Sequence, residues 1–97
     1  MSSAAYRYKF NEGVDLLEAE STLHLSILAV EGLFGEARVR MDAAYSVDDT
    51  IRALIVDAST EVGQDLNAIF TAFIIREFGT DAFQVRLVEG GGTEGRR

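Results

Sequence analysis

Few side chains in this sequence have the means to do chemistry, and their spacing limits what they can do. There is one histidine and no cysteine. A disulfide framework, a thiolate nucleophile and a zinc–sulfur centre are thereby excluded. His24 stands four residues after Glu20 and shares a helical flank with Glu31. A carboxylate and an imidazole at that spacing can touch one cation, but a stable site needs three or more protein ligands. No serine or threonine motif sets a nucleophile beside His24. The pair therefore reads as an i,i+4 surface contact, with no catalytic residue, metal or cofactor expected.

The second candidate is the run Asp57-Ala58-Ser59-Thr60-Glu61-Val62-Gly63. It puts a carboxylate at the end of an expected strand and hydroxyls at the start of an expected helix. Helix N-termini offer free N–H groups and partial positive charge, so Asp57, Ser59 and Thr60 are candidate ligand-binding residues. Asp57, Glu61 and Asp65 would repel a phosphate, and there is neither a glycine-rich cradle nor a P-loop lysine. The competing reading is structural: Ser59 or Thr60 caps the helix.

The third candidate is a set of cations. Arg7, Lys9, Arg38, Arg40 and Arg86 all fall on the polar side of expected strands. On that reading they share one open sheet face, and Arg38 and Arg40 join the candidate contacts for an anionic ligand. Otherwise they are solvated positions paired with Glu36 and Asp42. Single-stranded nucleic acid is not expected as a partner. Tyr6, Tyr8, Phe10, Tyr45 and Phe83 lie on the apolar side, away from any base that would stack. The net charge of −7 also repels nucleic acid and anionic membranes.

The elements that must position these groups follow from periodicity. Tyr6, Tyr8 and Phe10 alternate with Arg7 and Lys9, which predicts a short strand. Asp15 is placed to cap a helix, with Glu18 as capping-box partner. Leu16, Ala19, Leu23, Ile27, Val30 and Phe34 then form a helical stripe that Gly35 ends in a left-handed cap. From Glu36 to Val47 apolar and polar residues alternate, which predicts a second strand. Asp48-Asp49-Thr50 turns the chain into a nearly continuous apolar third strand, Ile51 to Ala58. A second helix carries the stripe Val62, Leu66, Ile69, Phe70, Phe73 and Ile74 and stops at Gly79. Phe83, Val85 and Leu87 alternate in a last strand. Val39, Met41, Ala43, Tyr45, Ile55, Phe83, Val85 and Leu87 are expected in the core beneath the helices.

The order β-α-β-β-α-β predicts an α+β domain: one antiparallel-rich, four-stranded sheet with two helices on one face, ferredoxin-like, strands one and three central. The domain is expected over residues 1–88, with a flexible tail over 89–97 that reads EGGGTEGRR. With 97 residues, 47% of them hydrophobic, the chain is one domain. The absence of cysteine suits a reducing cytoplasm. The first residues lack the apolar run of a signal peptide, and no stretch is apolar enough to cross a membrane.

Both helices carry more apolar surface than a sheet can cover. Leu25, Ala29 and Leu33 form a second stripe behind the first helix, and Ala68, Ala72 and Ile75 do so behind the second. Either the two stripes cover each other within one chain, or they mark an interface. The function expected is a non-enzymatic interaction module, self-associating as a dimer through Leu25, Ala29 and Leu33 or binding another protein. The alternative is a small anionic-ligand-binding domain using the Asp57–Thr60 turn or the basic sheet face. An enzyme ranks last, because no nucleophile–base pair, carboxylate pair or nucleotide motif is present.

Overall fold

The computed structural model describes residues 3–90. Its elements run β1 (Ser3–Phe10), α1 (Leu16–Phe34), α2 (Glu36–Asp42), β2 (Tyr45–Asp48), β3 (Ala53–Asp57), α3 (Glu61–Phe78), a short 3-10 turn (Thr80–Ala82) and β4 (Phe83–Gly90). One four-stranded sheet has the order β2-β3-β1-β4, with every neighbouring pair antiparallel. β1 and β3 lie in the middle, as the split β-α-β order requires. The α+β class and single antiparallel sheet are as expected.

The helix boundaries follow local chemistry. The Asp15 carboxylate accepts a hydrogen bond from the Leu17 N–H at 3.0 Å, which satisfies a free donor of the first turn. Thr60 does the same for α3, its hydroxyl accepting from the Gly63 N–H at 2.9 Å. α1 and α3 stop at Gly35 and Gly79, with φ of 88° and 92°. Their ψ values of 151° and 159° place both in an extended positive-φ region open essentially to glycine, so Gly35 is not the left-handed helical cap expected there.

The second strand is the main departure. Residues 36–42 are helical, and the strand spans only Tyr45–Asp48. The alternation in Ala37, Val39 and Met41 is overruled by helix-supporting pairs. Arg40 meets Glu36 at 2.7 Å and Arg38 meets Asp42 at 3.6 Å, both at i,i+4. Ala, Arg, Glu and Met are also strong helix formers. Val39 is still buried, though from a helix, while Met41 is 84% exposed and takes no part in the core. Ile55 is also misplaced by the sequence reading. It pairs with Arg7 and Ser46, on the sheet face opposite the helices. Val85 and Leu87 do face the helix side, across from Tyr8 and Tyr6, but remain exposed. Phe83, Ala43 and Tyr45 are partly buried against the core. β4 extends to Gly90, so Glu89 and Gly90 are paired with Ala4 and Ser3 and do not belong to a tail. The rest of the expected tail, 91–97, lies outside the described residues.

The core fills the space between the sheet and the long helices. Tyr8, Phe10, Leu54 and Val56 contribute from the central strands, and Leu23, Val30, Leu66, Phe70 and Ile74 from the helices. Tyr8 meets Phe70 edge-on at a centroid separation of 4.9 Å. Its hydroxyl, buried beneath α3, donates to Asn67 Oδ1 at 2.7 Å and lies 3.1 Å from Thr71 Oγ1. The Asn67 amide in turn donates to the carbonyls of Gly63 at 2.8 Å and Asp57 at 3.1 Å. These bonds join α3 to β1 and to the end of β3. They need close contact at the start of α3, and Gly63 supplies it. A Cβ there would sit 2.4 Å from the Asp57 carbonyl oxygen.

Two predictions rest on this packing. Gly63→Ala should cost about 1–3 kcal/mol despite the better helix propensity of alanine, because backbone must move to admit the methyl group. Met41→Asp, by contrast, should leave the unfolding free energy from urea titration within about 0.5 kcal/mol of the parent's. Burial raises the Tyr8 phenol from 10.0 to about 12. A folded-state value above the unfolded one means the stabilisation is complete below pH 10 and is lost as pH climbs through 12. Denaturation at stepped alkaline pH should show a loss on the order of 2–3 kcal/mol across that window, absent in Tyr8→Phe.

Candidate interaction surface

The exposed side of α1 is the most unusual surface of the molecule. The stripe Leu16, Ala19, Leu23, Ile27, Val30 and Phe34 faces inward, and all six side chains are buried or partly buried. At 100° per residue, Leu17, Ser21, Leu25, Leu28, Ala29, Gly32 and Leu33 occupy the opposite arc. Leu17 is 72% exposed, Leu25 59%, Leu28 60% and Leu33 68%. A helix laid on a sheet ordinarily turns charged residues to that side. Here Glu18 is the one charged residue within the arc. Leu17 and Leu28 belong to the patch although the sequence reading named only Leu25, Ala29 and Leu33. A full helical wheel, rather than a single i,i+4 line, would have found them.

The second apolar stripe does not cover the first. Ala68 and Ala72 are exposed and Ile75 is 39% exposed. The helices meet instead through small or polar side chains. Ser26 is fully buried and returns its hydroxyl to the Thr22 carbonyl at 2.9 Å, and the Thr22 hydroxyl donates to Glu77 of α3. Beside this seam a shallow groove of about 340 Å³ is lined by Thr22, Leu25, Phe73, Arg76 and Glu77. It carries the apolar surface of α1 onto α3.

The other candidates are placed differently. Arg38 and Arg40, expected on the sheet face, lie on α2 because the strand there is a helix. Arg38 is committed to Glu61 at 3.0 Å, to Asp42 and to the Phe34 ring, whose centroid is 4.7 Å away. Arg40 is paired with Glu36. In the strand–helix turn, Thr60 caps α3 and donates to the Asp42 carbonyl at 2.9 Å. The Asp57 carboxylate accepts from the Ser59 hydroxyl at 2.8 Å and from the Ser59 N–H at 3.2 Å. Asp57, Ser59 and Thr60 are therefore brought together, with their polar atoms spent on closing the turn. Arg38 reaches that neighbourhood through Glu61, and Arg40 does not.

His24 has a partner that sequence spacing could not reveal. Tyr45 of β2 places its hydroxyl 2.6 Å from His24 Nε2 and donates to Glu20 Oε2 at 2.9 Å. His24 and Glu20 themselves are 4.0 Å apart. Partial burial and the Glu20 carboxylate both push the Tyr45 phenol up. The cluster ties β2 to α1 at the edge of the sheet. Among the described residues no group of three or more His, Cys, Asp or Glu is gathered to hold a metal ion. No described helix is long and apolar enough to cross a membrane.

Compared with known proteins, the chain matches no family model, no curated protein and no solved structure.

Tyr45→Phe removes one hydroxyl shared by Glu20 and His24. A cost of about 1 kcal/mol in urea unfolding is expected, typical of a hydrogen-bonded group that water can still reach.

Proposed function

We propose that this protein is a non-enzymatic self-association module, a homodimer formed by the exposed face of α1. The observation that carries the reading is a nearly charge-free apolar arc on a chain of net charge −7. An interface between two copies sets each patch against itself, so like charges would meet across it. A face with four exposed leucines and a single carboxylate avoids that repulsion. Ser21, Ala29 and Gly32 between the leucines allow close approach of a second helix.

The energetics are favourable within limits. Completely burying a leucine is worth about 1.5–3 kcal/mol, set against an association cost of about 4–15 kcal/mol. α1 alone is too narrow to supply a full interface. A 19-residue helix is about 28 Å long and offers a strip of roughly 300 Å², against about 800 Å² per partner in a standard interface. The footprint must extend past Leu25 onto Phe73 and the groove rim at Arg76.

Leu25→Glu combined with Leu33→Glu tests this reading. Both positions are exposed, so the double variant should stay folded, with the parent's circular dichroism spectrum. Sedimentation equilibrium should then show a dimer for the parent and a monomer for the variant. A parent that is monomeric at high micromolar concentration would refute the proposal.

A further inference from the structure

The sheet face opposite the helices carries a cationic cluster that the fold does not use. Three of the nine Lys and Arg residues, Arg7, Lys9 and Arg86, project from it. Strand register makes Arg7 and Arg86 direct partners across β1 and β4, and places Lys9 opposite Gln84. Like charges directly opposite one another destabilise a sheet. Yet among the described residues none of the three lies within ion-pair distance of a carboxylate, although Asp and Glu outnumber Lys and Arg by 16 to 9. Asp48 of β2 lies on this face. It senses Arg7, but its carboxylate is taken by the Thr50 hydroxyl at 2.7 Å and the Thr50 N–H at 3.1 Å. Asp57, two positions along β3 from Ile55, the partner of Arg7, is closed onto Ser59.

The cluster surrounds a shallow depression of about 590 Å³ lined by Arg7, Lys9, Gln84, Val85 and Arg86. The depression reaches β4, an edge strand, where alternate backbone groups have no sheet partner. Guanidinium groups side by side offer paired N–H donors suited to phosphate oxygens, and an ammonium adds a compact charge. The aromatic side chains of β1 and β4 lie on the other face, beneath the helices, so no stacking platform accompanies the charge.

We infer that Arg7, Lys9 and Arg86 form a binding site for a compact small molecule bearing a diphosphate or longer phosphate chain. Two phosphoryl groups neutralise the opposed arginines, and the repulsion between them in the free protein becomes attraction for the ligand. Sites that bind at the expense of unliganded stability are a common trade-off. The site is independent of dimerisation, because α1 covers the other side of the sheet.

Calorimetric titration of the full chain with inorganic pyrophosphate in 150 mM salt, on the order of physiological ionic strength, tests the site. Saturable binding near one ligand per chain is expected. Arg7→Gln/Arg86→Gln should weaken it at least tenfold, and Lys9→Gln by a smaller factor. Circular dichroism of each variant establishes that it is folded, and the conservative Arg86→Lys should recover part of the affinity. Absence of saturable heat with the parent overturns the inference, as does binding that survives the double substitution. A single-stranded oligonucleotide that binds more tightly than pyrophosphate, and is lost in the same variant, would also overturn it in favour of an extended polyanion.

Discussion

Tertiary order in this protein depends on how closely the start of α3 approaches the end of β3. Gly63 lets the helix backbone come against the Asp57 carbonyl, and Asn67, one turn later, fills its amide hydrogen bonds with the Gly63 and Asp57 carbonyls. The same side chain accepts from Tyr8 of the central strand. A buried polar network is stabilising only when its members are satisfied, and this one is closed by a phenol, an amide and backbone carbonyls. It selects one position of α3 over the sheet, where apolar packing alone would tolerate several.

That position governs the rest of the surface. α3 lies over the central strands, so Val85 and Leu87 on the edge strand face the helix layer without being covered. α1 is drawn against α3 by Ser26, Thr22 and Glu77, and its leucines are left outward. α2 closes the corner between α1 and α3. Val39 enters the core there, and Arg38 bridges Phe34, Asp42 and Glu61. The molecule thus has two faces of opposite chemistry. One is helical and apolar, with Leu17, Leu25, Leu28 and Leu33 exposed on α1. The other is an open sheet face on which Arg7, Lys9 and Arg86 have no ion pair among the described residues.

Much of this was legible from local pattern. The inward stripe of α1, most of that of α3, the Asp15 and Thr60 caps and the two terminal strands follow from spacing and residue type, while Phe73 on the α3 stripe stays 38% exposed at the groove. The segment 36–42 was not, because alternation there competes with i,i+4 charge pairing and the two signals rest on the same residues. With it went Arg38, Arg40 and Met41, whose placement depends on whether the chain coils or extends. Leu17 and Leu28 were missed for a simpler reason: the patch wraps around an arc, and a single line along the helix samples only part of it.

For β1, α1, α3 and β4 the sequence by itself determined the element and its inward side, because periodicity is a property of one backbone segment and needs no distant partner. Only the tertiary structure decided what those elements meet. The opposition of Arg7 to Arg86, the contact of Tyr45 with Glu20 and His24, and the Tyr8–Asn67 bond join residues that are far apart in the chain. The exposure of the two helical stripes was likewise a tertiary outcome. It depended on the angle at which α1 and α3 settle on the sheet, and that angle comes from packing across the whole core rather than from the composition of either helix.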